Sequence, residues 1–251
     1  MKKVAKRLLR LLGYELRRLP KHHVYGADAY ADQKALLSGR GVRTVFDVGA
    51  NVGQTAARYR TLFPTADIHC FEPFEESFRG LCENFRGCAA IHPHRLAVTG
   101  TAGTREFFCN EGPLTNSLLP SAAGWRKHIG QELMATREVV PVPAVCLDDF
   151  CSQENIDHID LLKMDIQGGE LMALHGAASL LKNRAISLIY AEVNFAALYE
   201  GQAEFDELLR FLAGYGYSLF GLYNLSHGEN SALAWCDAIF ISLSPEPAAC
   251  V

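Results

Sequence analysis

Three short stretches of the sequence concentrate residues able to do chemistry. Asp47-Val48-Gly49-Ala50-Asn51-Val52-Gly53 places an acid, two glycines and an asparagine within seven positions. Glycines let a backbone turn tightly and approach a ligand, and a helix starting near Val52 aims its free N–H groups at that ligand. This is chemistry for holding a nucleotide-like molecule. In the dinucleotide pattern G-x-G-x-x-G the middle glycine makes room for a pyrophosphate. Asn51 stands at that position here and the run ends at Gly53, so a smaller zwitterion is better accommodated. Glu72 follows 19 residues after Gly53. A carboxylate there can accept both hydroxyls of a ribose and would repel a 2′-phosphate. Together the three features suit S-adenosylmethionine.

The third stretch is Lys163-Met164-Asp165-Ile166-Gln167-Gly168-Gly169-Glu170. Asp165 falls at the carboxyl end of an apolar run, where open α/β sheets bind ligands. It could hold a cofactor amine, orient an acceptor hydroxyl, or do both. Glu170 is equally explained as an acid in the first turn of a helix. Glu192 and Asn194 end the next apolar run, so Asp165, Glu192 and Asn194 offer oxygen donors on adjacent strand ends. Such a set suits a hard divalent cation, or a general base with hydrogen-bonding helpers. With three candidate ligands only, the metal-free version is favoured. Asn116 and Ser117 are polar groups within reach of a cofactor or acceptor if their segment folds over the site. His69, His92 and His94 recur at period two, which reads as an exposed strand face. His175 reads as structural.

These residues need a scaffold, and the pattern supplies one. Thr44–Val48 is a short strand, about Val52–Phe63 a helix stopped by Pro64, Asp67–Phe71 a strand and Phe74–Phe85 a helix. Ile91–Val98 reads as a third strand, bent or at an edge because of Pro93. About Gly100–Pro143 breaks the alternation with nine glycines and prolines, apart from a β-like run at Arg105–Cys109, and reads as an insertion or lid. Order resumes with a strand at 159–165, a helix at about 169–181, a strand at 186–193 and a helix at 202–212. Tyr217–Leu222 and Ala238–Leu243 close the chain and pair antiparallel. Six or seven strands in this order predict a Rossmann-like, doubly wound α/β sheet with an antiparallel end.

The composition agrees with one domain. The chain has 251 residues, about half of them apolar, and a formal charge of −4. A chain of this length buries enough surface to fold without disulfides or metal. Collagenous, disordered and disulfide-framework classes are excluded. The mild acidity argues against a general nucleic-acid binder. It also hides an asymmetry: residues 1–21 carry +7 and the remainder −11. Val4, Leu8, Leu11, Leu12, Leu16 and Leu19 would line one stripe of a helix among those cations, a pattern suited to an anionic membrane surface or to docking on the domain. Residues 1–25 therefore form a basic amphipathic segment ahead of a domain at 26–251. Arginines interrupt its apolar runs, which excludes a transmembrane span. The eight cysteines include no CxxC pair and mostly sit in apolar stretches, as expected of a cytoplasmic protein.

The ordered set Phe46-Asp47-Val48-Gly49-Ala50-Asn51-Val52-Gly53-Gln54, Phe71-Glu72-Pro73, Ala97-Val98, Asn116-Ser117, Leu147-Asp148-Asp149-Phe150 and Leu162-Lys163-Met164-Asp165-Ile166-Gln167-Gly168 resembles the FkbM family of S-adenosylmethionine-dependent methyltransferases. The resemblance spans roughly residues 44–243. It implies a seven-stranded methyltransferase sheet and O-methylation of a hydroxyl on a sugar, glycan or natural product. By similarity Asp47, Gly49, Asn51 and Gly53 line the methionine end of the cofactor, Glu72 its ribose, and Lys163 and Asp165 face the reacting centre. One departure stands out: the position after Ile166 is often Glu in that family and is Gln167 here. The role of base then falls on Asp165, with Glu192 as second choice. A nicotinamide-dependent oxidoreductase on a related sheet, and a methyltransferase fold that only binds, are the competing classes.

Overall fold

The computed structural model describes residues 23–124, 132–228 and 231–242. Residues 1–22 of the basic amphipathic segment, its apolar stripe included, and Cys250 lie outside the described residues. Seven strands form the main sheet: β1 (Thr44–Val48), β2 (Asp67–Phe71), β3 (Ile91–His94), β7 (Ile159–Met164), β8 (Ile186–Asn194), β9 (Tyr217–His227) and β10 (Leu233–Ser242), in the order β3-β2-β1-β7-β8-β10-β9. Pairing is parallel from β3 to β8, and β10 runs antiparallel between β8 and β9. The doubly wound sheet with an antiparallel end is thus observed.

Side-chain alternation explains the apolar runs. Val45, Leu161, Leu188 and Ile239 face one core with α1 (Ala29–Leu36), α2 (Gln54–Leu62) and α3 (Glu75–Asn84). Phe46, Leu162, Ile189 and Phe240 face a second core with α4 (Leu147–Glu154), α5 (Glu170–His175), α6 (Ala178–Lys182) and α7 (Phe205–Gly214). A strand covered on both faces is apolar at every position rather than at alternate ones.

Several sequence expectations are corrected. The single strand at 91–98 is two: β3 stays at the edge of the main sheet, where Pro93 costs no ladder bond. β4 (Ala97–Val98) leaves it for a small sheet of order β4-β6-β5. The presumed lid holds two long strands of that sheet, β5 (Gly103–Asn110) and β6 (Thr136–Val145). β6 contains Pro141 and Pro143, yet β4 pairs only with its residues 144 and 145, so the prolines lie where one edge is free. The helix at 169–181 is broken into α5 and α6 at Gly176, where a Cβ would lie 2.4 Å from the Thr99 carbonyl oxygen. Asp148 restarts it by accepting from the N–H groups of Ser179 and Leu180 at 2.8 and 3.0 Å. His69 and His94 do not present an exposed face, whereas the His92 side chain stays open to solvent at 2.9 Å from Asp67 Oδ1. His69 and His94 stack, bond at 3.1 Å and pack against Phe150 of α4. Burial, then neighbouring histidines, lowers the pKa of each to about 4.

Candidate functional site

The three chemical stretches meet at the carboxyl ends of β1, β2 and β7. Gly49 turns the chain out of β1 with φ +76°, and a Cβ there would lie 1.9 Å from the carbonyl oxygen of Asp165. Only glycine allows the β1 turn and the β7 turn to touch. Glu72 then pins the first turn to the second strand. Its carboxylate accepts from the N–H of Asn51 and the N–H of Phe74, each at 2.9 Å. Asn51 adopts a left-handed φ of 48° and caps its own loop by accepting from Val52 N–H at 2.7 Å.

Beneath this turn lies a buried ion pair. The Lys163 ammonium is 2.9 Å from Asp47 Oδ1 and donates to the carbonyls of Gly49 at 2.8 Å and Val48 at 3.3 Å. Burial opposes the charge, but the carboxylates of Asp47 and Asp165 outweigh it and hold the ammonium above its ordinary range. All three of its N–H groups point into the protein.

Around the turns opens a cleft whose free space, the solvent at its mouth included, is about 640 Å³. Gly49, Asn51, Glu72, Asn116, Asp165 and Gln167 supply its polar wall. Phe71, Leu96, Ala97, Val98, Phe107 and Leu118 supply its apolar end. Asp47, Gly53, Lys163 and Glu192 are not among the lining residues. Asp47 and Lys163 lie below the turn, and Gly53 faces α3, where a Cβ would be 2.3 Å from the Phe85 ring. Asn116 reaches the cleft from the segment after β5, its side-chain oxygen held by Asn110 N–H at 2.7 Å.

Glu192 joins the site through Gln167. The Gln167 amide nitrogen donates to Asp165 Oδ1 at 2.8 Å and to Glu192 Oε1 at 3.3 Å, and its oxygen accepts from the Tyr199 hydroxyl at 2.7 Å. Asp165 is exposed, whereas Glu192 is half-buried. Burial, followed by the Asp165, Glu170 and Asp237 carboxylates, pushes Glu192 well above the usual carboxylate range. That direction favours the neutral form of the Glu192 carboxyl. Asn194 lies on another side: with Glu170 and Glu192 it lines a smaller cleft against α7. Among the described residues, no group of three or more His, Cys, Asp and Glu side chains is placed to hold a metal ion. Tyr199 escaped the sequence reading, because it follows β8 in a stretch with neither periodicity nor motif.

Comparisons with known proteins agree on one family. A family model described as a methyltransferase FkbM domain matches residues 47–219. The 2-O-methyltransferase NoeI of Sinorhizobium fredii is 29% identical over 68% of this chain and 71% of its own. The 31-O-demethyl-FK506 methyltransferase FkbM of Streptomyces tacrolimicus is 27% identical over 70% and 72%. The hexuronic acid methyltransferase AglP of Haloferax volcanii is 23% identical over 60% and 55%.

Proposed function

Since the chain belongs to the FkbM family of methyltransferases, we propose that it moves a methyl group from S-adenosylmethionine to a hydroxyl oxygen of a sugar, glycan or natural product. The observation that carries this reading is the cleft itself: a glycine turn and a buried ribose-type carboxylate on one side, an exposed Asp165 on the other. The residues present fit the cofactor. Glu72 would accept from the ribose hydroxyls, Gly49 and Asn51 would flank the methionine end, and the Phe71–Leu96–Phe107 end would cover the base. When bound, the cofactor supplies an activated methyl on a sulfonium. Little is then asked of the protein beyond alignment and a proton acceptor. Asp165, exposed at the cleft, would take the proton from the acceptor hydroxyl as the oxygen attacks, and Lys163 would hold the turn rather than the substrate. No metal is invoked.

The names of the relatives support this acceptor class, since they specify a 2-O-methyltransferase, a 31-O-demethyl-FK506 methyltransferase and a hexuronic acid methyltransferase. A small-molecule or glycan acceptor, no nucleic acid, and cytoplasmic residence with the basic segment against an anionic membrane surface complete the reading. No described helix is long and apolar enough to cross a membrane. Calorimetric titration with S-adenosylhomocysteine and with NAD tests the cofactor. Tight binding of the first is expected, and preference for NAD would sink the reading in favour of an oxidoreductase. Labelled S-adenosylmethionine should transfer methyl to a component of a cell extract; binding without transfer would mark a binding protein instead.

The affinity should also depend on pH through Glu72. Burial raises its pKa to about 7 despite the Phe74 and Asn51 N–H groups. The ionised form accepts from both ribose hydroxyls, so affinity for S-adenosylhomocysteine falls as pH drops through about 7, by up to about ten-fold per pH unit. The free protein shows the opposite sign. Its Glu72 is protonated when folded and ionised when unfolded between about 4.5 and 7, so that contribution to stability is present at lower pH and is lost as pH rises through about 7. In Glu72→Gln both dependences should flatten; an unchanged binding profile would remove Glu72 from the ribose site.

A further inference from the structure

Gln167 sits where the family resemblance leads one to expect an acid, and its surroundings account for an amide. The chain turns back after β7 through left-handed φ angles of 57° at Gln167 and 91° at Gly168. This brings the side chain of residue 167 back to Asp165. Its amide meets four demands: two carboxylate oxygens need donors, one phenol needs an acceptor, and the site keeps no additional charge. An amide flip would aim an oxygen at Asp165 and Glu192, so the orientation is fixed by its neighbours.

Tyr199 is fixed in turn. It is buried, at 2% exposure. Its loop is tied by Gln202, whose side-chain oxygen accepts from the N–H groups of Leu198 and Tyr199 at 2.9 and 2.8 Å and whose nitrogen donates to the Ala196 carbonyl at 2.7 Å. The Tyr199 hydroxyl lies 2.7 Å from the Gln167 oxygen and 3.1 Å from the Thr115 carbonyl. Ser117 donates to the Gln167 carbonyl at 2.7 Å. The segment that carries Asn116 over the cleft is therefore held by the same two residues that hold Asp165.

We propose that Gln167, oriented by Tyr199, is the positioning residue of the reaction: it clamps Asp165 to Glu192 in register with the cleft and anchors the overlying segment at Ser117. The inference rests on the methyl-transfer reading. In that reaction the acceptor oxygen bonds the methyl carbon, the sulfonium–methyl bond breaks with its electron pair left on sulfur, and the hydroxyl proton passes to Asp165. Gln167 touches none of the reacting atoms. It acts by keeping one carboxylate of the pair free to take that proton.

The experiment is single-turnover transfer from labelled S-adenosylmethionine, preloaded on the full chain, into acceptor-bearing extract between about pH 5 and 9. It is run for wild type, Gln167→Glu and Tyr199→Phe, with S-adenosylhomocysteine affinity and thermal unfolding measured on each. A glutamate at 167 adds a third carboxyl to the pair, so the acid limb of the rate profile should move up by roughly one pH unit. Tyr199→Phe should lower the rate roughly ten-fold at every pH, because the amide loses its orientation. Affinity for S-adenosylhomocysteine should stay within about three-fold of wild type in Tyr199→Phe, since Tyr199 is outside the cleft wall and the Gly49 turn and Glu72 stay in place. An acid limb in Gln167→Glu that coincides with wild type at equal rate overturns the proposal. Loss of S-adenosylhomocysteine binding in step with rate in Tyr199→Phe overturns it as well, because the tyrosine would then be a support of the cofactor pocket. A wild-type chain that binds no S-adenosylhomocysteine overturns the methyl-transfer reading, and this inference with it.

Discussion

Asp165→Asn is expected to lower the rate of methyl transfer by about 10²- to 10⁴-fold, the range over which positioned general bases act, while affinity for S-adenosylhomocysteine stays within about three-fold. Asparagine keeps the size of the side chain and an oxygen able to accept from the Gln167 amide, whose present bond to Asp165 is 2.8 Å. What it loses is the capacity to take a proton. The backbone contribution survives too, since Asp165 donates its own N–H to the Val48 carbonyl at 3.1 Å and packs its carbonyl against Gly49. The cofactor wall is thus intact and only the chemistry is removed. Glu192→Gln is the control. That carboxyl is held well above the usual range by burial and its neighbours, so a neutral amide resembles its working form and the rate should fall no more than about ten-fold. Turnover that survives in Asp165→Asn and collapses in Glu192→Gln would transfer the role of base to Glu192.

The contrast between these two carboxyls shows what a sequence can and cannot disclose. The strand-end positions of Asp165 and Glu192 were legible, because each ends a long apolar run covered on both faces. Their coupling was not, because it depends on an amide two residues beyond Asp165 in a left-handed turn and on a tyrosine from another loop. Glycine spacing disclosed the β1 turn, yet Gly49 and Gly53 serve different contacts, one against the Asp165 carbonyl and one against Phe85. Spacing alone assigns both to a ligand. The small sheet went unread because Pro141 and Pro143 punctuate β6 as they would a loop, and nothing local reveals that one edge of the strand is free there. α4 was missed for a related reason: it is short, and its Asp148 caps another helix rather than its own. With α4 absent, the histidines of β2 and β3 read as solvent-facing.

Lys163 carries the same lesson into energetics. Its similarity to a family motif pointed it at the reacting centre, whereas its place on β7 directly opposite Asp47 on β1 turns it inward. Lys163→Met should therefore act first on stability. Removing one partner leaves the Asp47 carboxylate buried without its counter-charge, at about 3–5 kcal/mol. For a chain of this size that is a fall in Tm on the order of 10 °C. Asp47→Asn should be comparable, because it strands a buried ammonium that retains only the Val48 and Gly49 carbonyls. The double variant separates charge from geometry. With both charges gone the desolvation cost also goes, and much of the lost Tm should return. Affinity for S-adenosylhomocysteine should not return with it, since Lys163 donates to the two carbonyls that shape the glycine turn and methionine cannot replace those bonds. Differential scanning calorimetry and calorimetric titration on the three variants read the two effects independently. A Lys163→Met protein that keeps its Tm and its S-adenosylhomocysteine affinity but loses turnover would return the lysine to the reacting centre.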